Sequence, residues 1–138
     1  MKKVADKFSS VASDSSIKGE NNDCVVKAFA LALERPYDEI HAACARHGRR
    51  FAEGTYPMTQ RSVAQEYDME EIDFTALASL TPTGFRPTLV QFMTHFKKGR
   101  YYVARRGHAF VVIDGVVHDN VRRTGPRSRI CRAWKVKD

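Results

Sequence analysis

The sequence lacks the features that mark membrane proteins and disulfide-stabilised proteins. Although 43% of its residues are hydrophobic, no apolar run approaches the roughly 20 residues that span a bilayer. The N-terminal segment has no continuous apolar stretch of the kind found in secretory signals. Three cysteines are present, an odd number without a CxxC pair, and this does not indicate a disulfide framework. We therefore expect a cytoplasmic protein that does not contact a membrane.

Negative charge is also scarce. The 138-residue chain has a formal net charge of +7, and its basic residues are concentrated late, in FKKGR, ARRG, VRRTGPRSR and CRAWKVK. A basic surface of this kind can bind nucleic acid or an acidic partner, although a solvated surface is the simpler interpretation. The basic motif with interleaved aromatic residues that RNA-binding sheets carry is missing.

The length indicates one domain that buries roughly two-thirds of its unfolded surface. Residues 1–18, which are rich in Ser, Lys and Asp, predict a flexible N-terminal arm. Residues 19–138 predict a single domain, since they contain no repeat and no linker that would divide them.

Helical patterns come first in this domain and strand patterns follow. An almost wholly apolar helix is predicted to begin after Asn22 or Asp23 as N-cap and to end before Arg35-Pro36. Three more helices are predicted in YDEIHAACARHG, MTQRSVAQEY (with Thr59 as cap) and RPTLVQFMTHFKKG. Strands are predicted in RYYVARR, HAFVVI, VVHDN and ICRAWKV. This order predicts an α+β fold in which N-terminal helices pack on a C-terminal antiparallel β-sheet.

Cys24 opens the apolar helix. The unpaired N–H groups and the positive dipole end of a helix N-terminus lower the pKa of a thiol. A thiolate nucleophile also requires a nearby base, usually a histidine, and a group that orients that base. Taken alone, a cysteine in this place is more simply a core residue, so the case for chemistry depends on finding the base.

The hairpin GHAFVVIDGVVHD supplies a histidine and an aspartate. If Asp114-Gly115 forms a two-residue loop, the strand register puts His108 and Asp119 on one face, with Asp119 diagonally across from the ring of His108. A three-residue loop would shift the register by one and put Asn120 in that place. The sequence thus predicts a His–Asp pair whose second member depends on the loop length.

The motifs NNDCVVKAFALAL and GHAFVVIDGVVHD, in this order, resemble those of the papain-like cysteine peptidase superfamily. The likeness is nearest to the bacterial and phage domains close to the bacteriocin-processing leader peptidases, and it covers the chain from about residue 20 to the end. It implies a papain-like fold with the nucleophile, Cys24, at the start of the central helix. It further implies that His108 is the general base and acid and that Asp119 orients His108. We expect no cofactor and no metal.

One departure from the family pattern concerns the oxyanion. Papain-like enzymes commonly carry a glutamine six residues before the cysteine, and this chain has Lys18 there. The nearest amide side chains belong to Asn21 and Asn22. Asn22 is the candidate oxyanion donor, beside the backbone N–H of Cys24, and helix capping is the alternative role for it.

The resemblance implies hydrolysis of a peptide or protein amide through a thioester acyl-enzyme. Two alternatives stay open at this point. The first is a catalytically inactive papain-like module that binds a host protein or nucleic acid through its basic half. The second is a deamidase or transamidase that uses the same three residues.

The other histidines and cysteines indicate packing rather than metal binding. His41, Cys44 and His47 recur along one helix, but they spread over about a third of its circumference and lack a fourth ligand at a suitable spacing. Cys44 is expected in the core, and Cys131 is expected as a packed thiol in the last strand. Tyr56-Pro57 is a candidate border of a cleft.

Overall fold

The computed structural model describes residues 23–50, 53–74, 86–119 and 125–137. In these ranges the chain forms four α-helices and five strands. The helices are α1 (Cys24–Leu33), α2 (Tyr37–Arg46), α3 (Pro57–Glu66) and α4 (Leu89–His95), and the strands are β1 (Glu70–Glu71), β2 (Arg100–Arg105), β3 (His108–Ile113), β4 (Val116–His118) and β5 (Ile130–Lys135). The predicted α+β class is confirmed for this part of the chain. The predicted N-terminal arm, residues 1–18, lies outside the described residues.

All five strands form one antiparallel sheet in the order β1-β5-β2-β3-β4. The last strand, β5, therefore lies inside the sheet, between β1 and β2. Strand β1 was not predicted, because its two residues, Glu70 and Glu71, are exposed and have no apolar side chain to show a strand pattern. Their pairing with Lys135 and Trp134 at the sheet edge rests on the backbone.

Both faces of the sheet are covered. On one face, α1, α2 and α3 enclose a core in which the rings of Phe29 and Tyr102 stack with centroids 3.9 Å apart. On the other face, Phe92 of α4 packs edge-on against Tyr101, with centroids 5.4 Å apart. Adjacent residues of a strand point to opposite faces, so Tyr101 and Tyr102 belong to different cores. The sheet is thus the middle layer, and α1 is fixed against it by burial of seven of its ten residues.

The helix α1 starts after Asp23, one of the two predicted N-cap residues, but the side chain of Asp23 does not act as a cap. The Asp23 carboxylate is 2% exposed; it accepts a hydrogen bond of 2.6 Å from the Tyr37 hydroxyl and forms an ion pair with Lys27. The carboxylate therefore ties α1 to α2 instead of satisfying the first N–H groups of α1.

The predicted cap of α3 is also wrong. Thr59 lies inside the helix, where its hydroxyl donates a hydrogen bond to the carbonyl of His47. Pro57 is the first residue of α3, a position where its missing N–H removes no helical hydrogen bond. For α4, by contrast, Thr88 and Gln91 form a complete capping box.

The β3–β4 connection has the two-residue loop on which the His–Asp prediction depends. Asp114 and Gly115 have φ angles of 48° and 79°, as the tight turns of hairpins require. Ile113 consequently pairs with Val116, and Val111 with His118. The register that favours Asp119 over Asn120 is confirmed.

Candidate active site

Cys24 is the first residue of α1, and its thiol is partly exposed. The helix reaches β3 at this end, since the thiol accepts hydrogen bonds from the His108 side chain and from the backbone N–H of Ala109. The side chain also packs against the core formed by α1–α3 and the sheet. A helix that is apolar along most of its length thus presents a single polar, reachable atom at its N-terminus.

The pKa of the Cys24 thiol is lowered. Burial acts in the opposite direction and raises the pKa, but three hydrogen bonds to the sulfur outweigh it: those of the His108 side chain and of the N–H groups of Ala109 and Val25. The positive charge of His108 contributes to the same effect. The lowered pKa therefore comes mostly from β3, and only the Val25 N–H belongs to the helix terminus.

His108 is held between Cys24 and Asp119. Its Nε2 atom lies 2.5 Å from Oδ1 of Asp119, and both side chains are less than one-tenth exposed, at 8% and 7%. The hydrogen bond to Asp119, followed by that to Cys24, raises the pKa of His108 to about 9 despite the opposing effect of burial. Since Nε2 faces Asp119, Nδ1 is the ring nitrogen left for the thiol.

Together the three side chains can move a proton from the thiol to the imidazole. The pKa of Cys24 is lowered and that of His108 is raised, so both shifts favour a thiolate–imidazolium pair over the neutral pair. Asp119 fixes which ring nitrogen carries a proton and stabilises the imidazolium. The arrangement supplies an activated nucleophile and a general acid at one point.

Local backbone geometry brings these residues together. His108 is the first residue of β3 and follows the two-residue turn Arg106-Gly107, in which Gly107 has a φ of 76°. Asp119 directly follows the last residue of β4. Both side chains therefore lie at one edge of the sheet, and the N-terminus of α1 lies at the same edge.

A cleft of about 870 Å³ opens over Cys24 and His108. Three segments line it: residues 53–57 with Gln60, the β2–β3 turn at 105–107, and Cys131 and Arg132 of β5 with Arg86. Tyr56 is 72% exposed at this border, so the expectation that Tyr56-Pro57 borders a cleft is confirmed. The volume lies in the range of ligand-binding clefts.

Gln60 is a cleft residue that no sequence pattern selects. Its side chain is buried; it accepts a hydrogen bond of 2.8 Å from the Tyr102 hydroxyl and donates one of 3.0 Å to the carbonyl of Thr55. These bonds connect α3, β2 and the cleft border. In the sequence, Gln60 occupies an ordinary polar position of a helix, and only the tertiary contact with Tyr102 distinguishes it.

The candidate oxyanion donor, Asn22, belongs to the part of the chain outside the described residues, as do Lys18, Asn21 and Asn120. The described part of the chain contributes backbone N–H groups at this point, those of Val25 and Ala109, which donate to the sulfur.

The other two cysteines differ from Cys24 and from each other. Cys44 is completely buried, as expected, and burial raises its pKa to about 12. The expectation for Cys131 is wrong, because it is partly exposed, lines the cleft and lies 3.5 Å from a guanidinium nitrogen of Arg86. A bulge in β5 at this residue changes the direction of its side chain.

The described ranges contain neither a metal-binding cluster nor a membrane-spanning helix. No group of three or more His, Cys, Asp or Glu side chains there is arranged to hold a metal ion. Of the three residues considered for zinc, Cys44 lies in the core and His47 binds the carboxylate of Glu66 at 2.8 Å. None of the described helices has the length and apolar character needed to cross a membrane.

The chain was compared with protein-family models, with curated proteins and with solved structures, and none of the three comparisons found a match. Inference about function therefore depends on the site geometry and on the resemblance of the two motifs.

Proposed function

We propose that the protein is a cysteine-dependent peptidase or amide hydrolase of papain-like fold. The single observation that carries the proposal is the hydrogen-bonded series Cys24–His108–Asp119, whose first two members line an open cleft. A structural cysteine at a helix start has no need of a histidine that is itself bound to a buried carboxylate. The raised pKa of His108 and the lowered pKa of Cys24 are the shifts that a nucleophile and its base require.

In the proposed reaction, His108 Nδ1 takes the thiol proton and Cys24 Sγ forms a bond to the carbonyl carbon of the substrate. The carbonyl electrons move to oxygen, and the tetrahedral intermediate collapses as His108 protonates the leaving amine, so that the C–N bond breaks. Water then attacks the thioester with His108 again as base, which releases the acid and restores the thiol. Asp119 stays ionised and stabilises the imidazolium throughout.

The oxyanion of the tetrahedral intermediate requires hydrogen-bond donors. The backbone N–H of Cys24 is one candidate, because it is free of a partner within a helix at that position. Asn22 is the proposed second donor. Loss of one such donor typically lowers kcat by about 10²–10³-fold, so Asn22→Ala is expected to reduce turnover while leaving the thiolate in place.

Alkylation by iodoacetamide at about pH 6 tests the activated thiol. Each unit by which a pKa falls raises the thiolate fraction at that pH about tenfold, so we expect Cys24 to label faster than Cys131 and much faster than Cys44. His108→Ala removes the main side-chain donor to the sulfur and should abolish the excess rate. Peptide mapping by mass spectrometry assigns the label to each cysteine.

Hydrolysis itself is measured by incubating a pooled peptide library with the protein and identifying the products. Cleavages that are present with the wild type and absent with Cys24→Ala and with His108→Ala support the hydrolase. Conversion of a glutamine or asparagine side chain to the corresponding acid, with release of ammonia and without chain cleavage, would point to the deamidase alternative. Equal, slow labelling of all three cysteines together with no product would leave the inactive binding module as the better description.

A further inference from the structure

Arginine side chains dominate the charge of the cleft. Among the described residues, four of them line it, Arg86, Arg105, Arg106 and Arg132, against one carboxylate, that of Glu53. Within the described part of the chain, Arg86, Arg106 and Arg132 form no ion pair with a carboxylate. No carboxylate in the described ranges neutralises their charge, which is therefore available to a ligand there.

The backbone directs this charge to the cleft at two places. The β2–β3 turn carries Arg105 and Arg106 immediately before Gly107 and His108. The second place is a bulge in β5. Ala104 of β2 pairs with Arg132, but the next residue of β2, Arg105, pairs with Ile130, so that Cys131 has no partner in β2. Strict alternation would send two consecutive residues to opposite faces, but at this bulge both Cys131 and Arg132 line the cleft.

Arg132 is held in a way that suits an anionic ligand. Its Nε atom is buried and has no hydrogen-bond partner among the described residues, so the side chain is partly desolvated without compensation. Guanidinium groups form their strongest hydrogen bonds with carboxylates, and such bonds gain strength where water is excluded. Arg86 approaches the same point, through its contact with Cys131.

We propose that the cleft selects peptides that carry glutamate or aspartate beside the bond attacked by Cys24. This inference rests on the proposed hydrolase function, whose substrate class it names. A nucleic acid is a less suitable occupant, because a concave cleft of about 870 Å³ accommodates a few residues rather than the long backbone that phosphate-binding surfaces follow. The carbonyl chemistry of Cys24 and His108 likewise fits a peptide.

Binding to the Cys24→Ala protein tests the proposal without requiring turnover. Short peptides that differ only in Glu, Gln or Lys at each position are pooled, retained on the immobilised variant and quantified by mass spectrometry. We expect Glu peptides to be enriched over their Gln twins by up to about fivefold per carboxylate, the upper range for a partly exposed ion pair. The enrichment should fall as salt is added.

The double variant Arg106→Gln/Arg132→Gln, made in the Cys24→Ala background, should lose this enrichment. Arg50→Gln/Arg127→Gln is the matched control: it removes the same two charges from exposed arginines that the described cleft lining does not include, and it should keep the enrichment. Circular dichroism checks that each variant is folded.

The outcomes separate this inference from the hydrolase proposal. Enrichment of Glu peptides without any cleavage by the wild type would support the acidic selectivity and contradict the hydrolase. Cleavage without preference for Glu, or equal preference in the double variant, would overturn the selectivity. It would also be overturned if a single-stranded oligonucleotide displaced every retained peptide and the Glu peptides were not enriched over their Gln twins.

Discussion

At the scale of single residues, the protein uses the same side chain in two opposite ways. Cys44, enclosed by α2 and the core, has its pKa raised to about 12 by burial. Cys24 is also substantially desolvated, yet hydrogen bonds from His108, Ala109 and Val25 reverse the direction of its shift. The difference between an inert and an activated thiol is thus a matter of the donors around the sulfur, not of burial alone.

The opposed pKa shifts of Cys24 and His108 predict how stability depends on pH. Folded His108 keeps its proton up to about pH 9, whereas an unfolded histidine loses it near 6.5, so this group alone makes stability fall as the pH rises between those values. Cys24, with its lowered pKa, loses its proton at a lower pH in the folded chain than in the unfolded chain. Its contribution to the free energy of unfolding therefore rises with pH. Because the two contributions oppose each other, the wild type should show a shallow dependence in this window.

Cys24→Ser removes the contribution of the thiol and leaves that of His108, whose pKa is raised chiefly by Asp119. Relative to the wild type, we expect the free energy of unfolding of this variant to fall with pH, by at most about 1.4 kcal/mol per pH unit. Urea denaturation at several pH values between 6.5 and 9 measures the slope. The double variant Cys24→Ser/Asp119→Asn should show a shallow pH dependence again, because His108 then loses the main cause of its raised pKa. Identical slopes in the wild type and in Cys24→Ser would contradict a coupled Cys24–His108 pair.

The sequence was sufficient to predict His108 and Asp119 as neighbours, since a two-residue hairpin loop has a fixed register. The place of Cys24 beside them was implied only by the resemblance of the two motifs. The sequence did not reveal Gln60 or Arg132. Gln60 is selected by its hydrogen bond with Tyr102, 42 residues later in the chain, and Arg132 by a bulge that depends on pairing with β2. Both are tertiary effects with no local sequence pattern.

At the scale of secondary-structure elements, the ends of the strands determine the site more than their interiors do. Most helices and strands were predicted from apolar periodicity, because each buries one stripe or face in a core. The errors were Thr59, which is not a cap, and β1, which was not predicted; at Asp23 the predicted cap position is right, but the side chain does not cap the helix. There the outcome depends on single polar contacts, such as the Tyr37–Asp23 hydrogen bond that replaces a cap.

The turn between β2 and β3 depends on the backbone conformation of Gly107, so substitution of this residue should lower stability. Its φ of 76° is costly for a residue with a Cβ, although an added Cβ would meet no atom within 4 Å. Gly107→Ala should therefore lower the free energy of unfolding by about 1 kcal/mol through backbone strain alone. Gly107→Asn should cost less, because asparagine tolerates this conformation.

Urea denaturation gives the stabilities, and the iodoacetamide rate of Cys24 is expected to fall in the same order, because the turn positions His108. Gly54→Ala is the matched control. Gly54 also lies in the cleft lining, an added Cβ there meets nothing within 4 Å, and its φ is not in the left-handed region. A similar loss of stability in Gly54→Ala and Gly107→Ala would show that backbone strain is not the cause.

At the scale of the whole molecule, the candidate site joins segments that are far apart in the chain. Cys24 is contributed by α1, His108 by β3, Arg106 by the β2–β3 turn and Arg132 by β5. Each of these side chains thus comes from a different helix, strand or turn. The helix α1 reaches this place only because its apolar surface is buried against the sheet. The reactivity of Cys24 should therefore be a property of the folded domain rather than of its own helix.

This can be tested by measuring the alkylation of Cys24 at about pH 6 across a urea titration. For a domain of this size unfolding is expected to be cooperative, so the excess rate of Cys24 should disappear along the same curve as the far-UV circular dichroism. Cys44, which is completely buried, is the internal control, since its labelling should appear along that curve. If the Cys24 excess were lost at lower urea than the helical signal, the contact between the start of α1 and His108 would open separately. The thiol would then be activated only in the fraction of molecules in which that contact is closed.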